Sequence, residues 1–264
     1  MLEIKTIGDF IFERLLGTLY NLVSFLYLTI ESFFRNFPYG IGYLKNICRK
    51  QIYFTGIQAL NITVYVGLFM GLVIVTQIAS FITGIGDLYT INKIIINGLI
   101  REVIPLIIAI ITITRSGTAI TSELNLMKIN NEILTLESLG INYMYTQVFS
   151  RIISFAISLN VLTIIASFTS LLSGGFSLYL FTNISMDDFF NIFFYTLTIF
   201  DIILLLLKST TFGIAIPTIC CYFGLLIKKS MTEIPQLTTK AVLKCFYYVF
   251  IINILLDLLV VIWE

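Results

Sequence analysis

Long uncharged stretches dominate this chain and have the length of membrane spans. No charged residue occurs from Gln51 to Gly86 or from Ile152 to Met186. A helix needs about 20 predominantly apolar residues to cross a bilayer. Spanning strands would alternate polar and apolar positions, and these stretches do not. The pattern predicts an all-α integral membrane protein with about five transmembrane helices, near residues 55–81, 94–121, 152–175, 200–227 and 245–263.

The beginning of the chain carries a shorter apolar stretch, Leu15–Ile30, between Arg14 and Glu31. This length favours an amphipathic helix that lies in the membrane interface; a sixth span and a signal peptide are the alternatives. Acidic residues near the start argue against a signal peptide, which has a basic beginning and a small-residue cleavage site. Residues 1–48 are therefore interpreted as an N-terminal interfacial helical segment.

Basic residues are concentrated at one side of the predicted bundle. The opposite side has Lys93, with Arg101 at membrane depth. Cytoplasmic loops carry the excess of Lys and Arg in membrane proteins. The region around Lys45 and the loops at residues 122–151 and 228–244 are therefore predicted to face the cytoplasm or a plastid stroma. The basic residues on that side are Lys45, Arg49, Lys50, Arg115, Lys128, Arg151, Lys228, Lys229, Lys240 and Lys244.

Composition excludes several classes of function. The 264 residues are 58% hydrophobic and 12% charged, with a net charge of +1, so no basic surface is available for nucleic acid. Histidine is absent, which removes the commonest general base and metal ligand. The four cysteines match no metal-binding spacing and are interpreted as small apolar fillers. No P-loop, serine nucleophile elbow or HExxH motif occurs, so the chain is assigned no catalytic residue, metal site or cofactor.

Five charged residues fall at membrane depth, where each costs at least a few kcal/mol unless it is paired or solvated. Two of them, Arg101 and Glu102, are adjacent, and adjacent residues do not face each other on a helix. Each is expected to meet a partner on another helix. Two interpretations stay open: the charges line a substrate path, or they form interhelical salt bridges that hold the bundle. The five are Arg101, Glu102, Asp201, Lys208 and Asp257.

Two glycines four residues apart, Gly67 and Gly71, lie in the first predicted span. Small residues at this spacing let helices approach closely. The pair is interpreted as helix packing, and a seam between two copies of the chain is one location for it.

The segment Glu123–Gly140 is too polar to cross a bilayer, and Gly140 is a suitable helix stop. It predicts a short amphipathic helix on the cytoplasmic side. The helix either rests on the membrane surface or docks in a groove of a soluble partner and transmits that partner's motion. Its apolar stripe consists of Leu124, Met127, Ile133, Leu136 and Leu139, and Lys128, Glu132 and Glu137 lie off the stripe.

Around this segment the sequence resembles the MlaE-type permeases of lipid ABC transporters, a family that includes the chloroplast trigalactosyldiacylglycerol permease. The similarity covers about Arg49–Ile262. Family motifs follow in order at Arg49–Gly56, Gly67–Gln77, Arg101–Pro105 and Arg115–Glu123, the last followed by Met127 and Lys128. Further matches are Arg151, Asp201, Lys208, Phe212, Gly213, Cys221, Tyr222, Thr238–Val242 and Asp257.

The resemblance implies a homodimeric permease domain over residues 49–264, in a bacterial inner membrane or a plastid inner envelope membrane. Two copies would enclose a cavity for a phospholipid or glycolipid, facing an MCE-domain protein, and a STAS-type regulator is left open. Arg101 and Lys208 would lie near the lipid head group, with Glu102 and Asp257 as the matching acids. A separate ABC ATPase would bind ATP and Mg²⁺ and dock on a coupling helix that includes Glu123, Met127, Lys128, Glu132, Ile133 and Leu136.

The chain departs from the family at Asn131–Leu136, at Ser150 and at Ser230–Leu237, so ATPase contacts there are expected to differ. An ATPase-independent solute or ion-coupled transporter is the alternative function, with the intramembrane charges as an ion relay. A membrane-embedded lipid-modifying enzyme is a third hypothesis, weakened by the missing histidine and catalytic cluster.

Overall fold

A computed structural model of the chain describes residues 2–36, 41–82, 88–181, 185–228 and 230–263. Every regular element in these ranges is helical. Three π-helical segments occur, Ile95–Val103, Ile113–Gly117 and Met144–Phe149, together with 3₁₀ turns at Ile57–Ala59 and Met231–Glu233. The α-helices are α1 (Leu2–Asn36), α2 (Ile41–Thr55), α3 (Leu60–Ile82), α4 (Leu88–Ile94), α5 (Ile104–Thr112), α6 (Thr118–Ile129), α7 (Glu132–Ser138), α8 (Ser150–Phe181), α9 (Met186–Thr196), α10 (Ile199–Leu225) and α11 (Ile234–Trp263).

Five helical stretches of the described chain are long and apolar enough to cross a membrane, which confirms the predicted fold class. Spans 1, 2, 3 and 5 begin before their predicted starts, and spans 2 and 3 also end later, because hydropathy marks only the part of a helix inside the bilayer; span 4 lies close to its predicted bounds. The fifth begins at Met231 rather than near Cys245, so Lys240 and Lys244 lie on a helix and not in a loop. Lys229 lies outside the described residues. Spans 1 to 5 are Leu44–Ile78, Asn92–Ile129, Met144–Phe181, Ile199–Leu225 and Met231–Ile262.

The first helix, α1, packs against the end of the bundle that is predicted to be cytoplasmic. Phe25 meets the edge of Tyr222 at 5.8 Å between ring centroids, and Phe33 stacks on Phe149 at 4.2 Å. Its opposite face exposes large apolar side chains such as Tyr27 and Phe34. The helix is not among the five candidate spans, and its interfacial position stays a prediction. Its buried stripe is Leu22, Phe25, Thr29 and Ser32.

Spans 1 and 3 approach each other closely through small residues. A Cβ on Gly71 would overlap the backbone of Ser170, and one on Gly67 would overlap Thr169 and the backbone of Ala166. The glycine face is therefore filled by α8 of the same chain, rather than being available at a seam between two copies. Close backbone packing of this kind is typical of small-residue spacing in membrane helices.

The third span does not end at its glycine pair, as the sequence suggested. Gly174 faces Val75 of α3, and Gly175 faces Phe189 of α9, so both glycines make room for neighbouring side chains within a helix that continues to Phe181. The short helix α9 was not predicted. It begins at Met186 after the capping residue Ser185, whose hydroxyl accepts a hydrogen bond from the Asp188 amide, a standard N-terminal cap.

Candidate functional site

One polar site joins three spans around Lys208. The Lys208 ammonium lies 2.6 Å from Glu102 Oε1 of span 2 and also contacts Asp257 Oδ1 of span 5. Asn253 Nδ2 donates to Asp257 Oδ2 at 2.8 Å and to Glu102 Oε2 at 3.2 Å. We call these four residues the Lys208 network. Each carboxylate thus receives one bond from the ammonium and one from the amide, which compensates for the removal of these charges from water.

Within the Lys208 network the cation is buried and the two acids are partly exposed. The Lys208 side chain is 1% exposed, whereas Glu102 is 36% and Asp257 is 34% exposed. Two carboxylates face one ammonium, so the network carries a net charge of −1 when all three groups are ionised. The cation is hidden behind the acids, and the surface that the network presents is acidic.

A second polar site surrounds Arg101. Its Nε lies 2.7 Å from Asp201 Oδ1, its Nη1 donates to Asn97 Oδ1 at 3.2 Å, and its guanidinium lies 5.4 Å from the centre of the Phe200 ring. Asp201 Oδ2 accepts from the backbone and the hydroxyl of Thr198 at 2.8 and 2.6 Å. Asp201 therefore caps the N-terminus of α10, where the helix dipole favours a negative charge.

Two cavities adjoin at these sites and share Asn97 and Arg101 as lining residues. The inner cavity, about 170 Å³, contacts the Lys208 network together with apolar residues of spans 4 and 5. The outer cavity, about 280 Å³, lies between α4 and the α9–α10 connection. Its polar lining consists of Tyr89, Lys93, Asn97, Arg101, Thr196, Thr198 and Asp201.

All five charged residues predicted at membrane depth thus fall into two adjoining sites. The adjacent residues Arg101 and Glu102 pair with different positions of α10, as expected for neighbours on one helix. Both lie in the π-helical segment Ile95–Val103, and π-helical turns are frequent at functional sites. Sequence reasoning missed Asn97 and Asn253. Each lies four residues before a charged partner, one helical turn away, and this spacing was the available signal.

The cytoplasmic segment is two helices rather than one. The helix that continues span 2 ends at Ile129, and α7 begins at Glu132. Asn131 between them has φ 58°, a left-handed conformation that asparagine tolerates better than other side chains. At the other end, Gly140 has φ 74°, and its amide donates to Glu137 O while Ile141 N donates to Leu136 O. This is a Schellman cap, and Gly140 ends the helix as predicted.

The break divides the predicted coupling residues into two groups. Glu123, Met127 and Lys128 lie on α6, and Glu132, Ile133 and Leu136 lie on α7. On α7, Ile133 and Leu136 are half-buried. The apolar side chains most open to a partner are Leu134 on α7 and Leu139 directly after it, which are 64% and 69% exposed.

The α6 group is held by contacts within the chain. Arg151 Nη2 lies 3.0 Å from Glu123 Oε2, and Arg151 Nη1 donates to the Gln147 side chain at 2.7 Å. The Lys128 ammonium donates to the Leu225 carbonyl at the C-terminus of α10, where the helix dipole favours a cation. These contacts join the ends of spans 2, 3 and 4 on the predicted cytoplasmic side.

A cavity of about 600 Å³ lies between α7 and the end of α10, on the side predicted to be cytoplasmic. Lys128 and Lys228 line it, together with Glu137 and Tyr143. Burial raises the pKa of Tyr143, and the nearby Glu137 carboxylate raises it further. The Tyr143 phenol is therefore protonated at neutral pH and retains its hydrogen-bond donor.

The family of the protein follows from a comparison with known sequences. The family model described as Permease MlaE matches residues 48–259, a range that contains both polar sites and the cytoplasmic segment. The chain belongs to the MlaE permease family. The resemblance seen in the sequence motifs is thereby confirmed.

Similar MlaE-family proteins come from plastids and bacteria. A probable ABC transporter permease protein, ycf63, of Pyropia yezoensis is 29% identical over 208 residues, covering 79% of each chain. The chloroplastic protein TRIGALACTOSYLDIACYLGLYCEROL 1 of Arabidopsis thaliana is 26% identical over 211 residues, 79% of this chain and 59% of that one. The intermembrane phospholipid transport system permease protein MlaE of Haemophilus influenzae is 24% identical over 194 residues, 73% and 74% of the two chains.

Membership of the MlaE family gives the chain its general role. It is an integral membrane permease subunit of an ABC transporter, a transport component without catalytic activity of its own. An ABC permease works with an ATPase subunit, which agrees with the absence of a P-loop from this sequence.

Proposed function

We propose that two copies of this chain enclose a lipid cavity, and that a separate ATPase docks on α7 and drives phospholipid transport through them. The observation that carries the proposal is the Lys208 network, in which partly exposed carboxylates lie inside an otherwise apolar bundle. An exposed charge at membrane depth is costly without a polar partner. A lipid head group bound between the two copies supplies that partner.

The surroundings of the Lys208 network suit the rest of a lipid molecule. The outer face of α11 next to Asp257 is apolar and exposed in the single chain, with Leu258, Leu259 and Val261 each more than half exposed. This face can take acyl chains or a second copy of α11. The Arg101 site and the outer cavity lie beside it and add hydroxyl and cationic groups for a head group.

Helix α10 is the proposed connection between ATP hydrolysis and the lipid cavity. It carries Lys208 nine residues after its first residue, Ile199, and the carbonyl of its last residue, Leu225, accepts a hydrogen bond from the Lys128 ammonium beside α7. The 17 residues from Lys208 to Leu225 span about 25 Å at about 1.5 Å per residue. A displacement of α7 by the ATPase therefore reaches the Lys208 network through one continuous helix. ATP and Mg²⁺ bind to the ATPase, and an MCE-domain protein receives or supplies the lipid on the opposite side.

Purification from the native membrane tests the proposal. The tagged chain is extracted in a mild detergent, and its co-eluting proteins and bound lipids are identified by mass spectrometry. We expect a nucleotide-binding ATPase and a phospholipid to accompany a dimer of the chain. If the chain is instead a carrier that needs no ATPase, the purified chain should carry out transport by itself. Recovery of the intact chain without an ATPase and without lipid would overturn the proposed function.

A further inference from the structure

Two cavities lie against α2 at the end of the bundle that is predicted to be cytoplasmic. The first, about 500 Å³, lies between α2, α6 and the start of span 3, and its charged lining residues are Lys50, Glu123 and Arg151. The second, about 600 Å³, runs along α2 and contacts Arg49 and Lys50. Since Lys50 lines both, the two adjoin. We call them the α2 cavities.

The α2 cavities are lined by an excess of positive charge. Their charged lining residues, each counted once, are Arg49, Lys50, Glu123 and Arg151, which sum to +2. Glu123 is paired with Arg151 at 3.0 Å, so no acid of this lining remains for the two cations of α2. Arg49 donates to the neutral side chain of Asn46. Lys50 is exposed, and its ammonium has no hydrogen bond or ion pair with the described part of the chain.

The first cavity also has guanidinium groups at its inner wall and beside it. The Arg151 side chain is 1% exposed; its Nη atoms bond to Glu123 and Gln147, while its Nε has no partner among the described residues. Arg115 lies next to the cavity, with its guanidinium 5.7 Å from the centre of the Phe54 ring, which lines the cavity. Guanidinium and ammonium groups are the usual ligands of phosphate oxygens.

The level of these residues along the helices is that of the lipid head groups. Lys50 lies six residues after the start of span 1, Arg151 seven after the start of span 3, and Glu123 six before the end of span 2, which is about 9–10 Å from each end. The three spans have 35–38 residues and are about 53–57 Å long. Centred on a hydrocarbon core of about 30 Å, they extend about 12–13 Å beyond it at each end. The α2 cavities thus lie at the edge of the core.

We infer that the α2 cavities bind the phosphate of an acidic phospholipid from the leaflet that is predicted to be cytoplasmic. Basic pockets between transmembrane helices on that side of a membrane bind acidic head groups. Tyr53 and Phe54, which are 55% and 39% exposed, line the cavities and can contact the acyl chains. Glu123 follows Arg101 by 22 residues, about 33 Å along span 2. The site is therefore at the other membrane surface from the proposed transport cavity, and a lipid there bridges α2 to spans 2 and 3.

A lipid competition measures the binding. The purified chain, or its complex with the ATPase, is reconstituted in nanodiscs with equal amounts of phosphatidylglycerol and phosphatidylcholine, and the retained lipids are quantified by native mass spectrometry. Each basic residue near an acidic lipid contributes about fivefold to binding, so we expect phosphatidylglycerol to be enriched by about fivefold or more. A phosphatidylglycerol analogue with a photoreactive group beside its phosphate should label the peptides that contain Lys50 or Glu123.

A matched pair of variants on α2 separates a site from general attraction to a basic surface. Lys50→Gln removes the unpaired cation that both cavities share and should lower the enrichment about fivefold, whereas Lys50→Arg should retain it. Lys45→Gln removes the same charge from an exposed position of α2 that lines neither cavity. This control should change the enrichment by less than about twofold and leave the photo-labelled peptides unchanged.

A second measurement distinguishes a lipid from a soluble anion. The chain in neutral detergent is heated with either phosphatidylglycerol or millimolar inorganic phosphate. A rise in Tm with the lipid that Lys50→Gln abolishes supports the inference. The same behaviour with phosphate and none with the lipid assigns the cavities to a soluble anion and overturns it. Equal retention of the two lipids by the wild type, or equal losses for Lys50→Gln and Lys45→Gln, also overturns it. Transport through the proposed cavity is untouched by these results, because that cavity contains none of the altered residues.

Discussion

Replacing Lys208 by methionine tests whether the buried network stabilises the bundle. Methionine keeps the length and apolar volume of the lysine stem, so the change removes mainly the ammonium. Glu102 and Asp257 then face each other with only Asn253 as a donor. Removing one partner of a buried ion pair costs about 3–5 kcal/mol. The two carboxylates are about one-third exposed, so water hydrates them in part, and we expect a loss at the lower end, about 3 kcal/mol.

Thermal unfolding of the chain in detergent measures this loss. For a domain of this size, 1 kcal/mol corresponds to roughly 2–4 °C in Tm, so Lys208→Met should lower the Tm by about 6–12 °C. The matched control is the double variant Lys208→Met with Glu102→Gln, which removes one orphaned charge and should recover part of the loss. Lys208→Arg keeps the charge and should lie between the wild type and Lys208→Met.

An unchanged Tm for Lys208→Met would refute this reasoning. It would mean that Glu102 and Asp257 are hydrated or protonated to the point that the ammonium contributes nothing. A double variant less stable than Lys208→Met alone would also contradict it, because the argument requires the unpaired carboxylates to be the source of the instability.

Three further predictions address transport, packing and docking. Glu102→Ala should lower lipid transfer in a reconstituted assay while the protein still inserts, and unchanged transfer would remove Glu102 from the site. Gly71→Ala should cost about 1–3 kcal/mol in thermal unfolding, because its Cβ overlaps the Ser170 backbone; Gly98→Ala, with open space at its Cβ, should be neutral or stabilising, and equal losses would contradict the packing argument. Leu134→Asp should reduce the co-purified ATPase at an unchanged Tm, whereas Leu134→Met should retain it; retention by both would exclude this side chain from docking.

The five spans were predictable because a bilayer imposes one condition on every segment that crosses it. The length of an uncharged segment can be counted in the sequence without knowledge of any contact in the structure. The ends of the helices were not readable in this way. Span 5 extends back to Met231, because outside the hydrocarbon region both helix and loop satisfy the backbone, and the choice depends on contacts such as that between Ser122 and Thr238.

The sequence allowed us to predict which charged residues form the polar sites, but not which acid pairs with which base. The cost of charge at membrane depth identifies Arg101, Glu102, Asp201, Lys208 and Asp257, and the adjacency of the first two requires separate partners. Which acid meets which base depends on how the helices are rotated and shifted against one another. That arrangement is set by packing residues such as Gly213, whose Cβ would meet Ala156 of span 3. The helix break at Asn131 was missed because the apolar stripe continues across it in sequence.

The pairing of charges also indicates which helices move together. Arg101 and Glu102 bind α10 at Asp201 and Lys208, seven residues or about two helical turns apart. A sliding of α10 along span 2 would break both pairs at once, and the contact of Lys128 with Leu225 opposes it at the cytoplasmic end. Spans 2 and 4 are thereby joined at three positions along their length, by the contacts Arg101–Asp201, Glu102–Lys208 and Lys128–Leu225. Span 5 contributes Asn253 and Asp257 to the Lys208 network, and it also packs on α10 where the Cys245 thiol contacts Cys220 and the Ile216 carbonyl. A conformational change that separates spans 2, 4 and 5 at the level of the Lys208 network therefore has to break the contact of Lys208 with Glu102 or with Asp257.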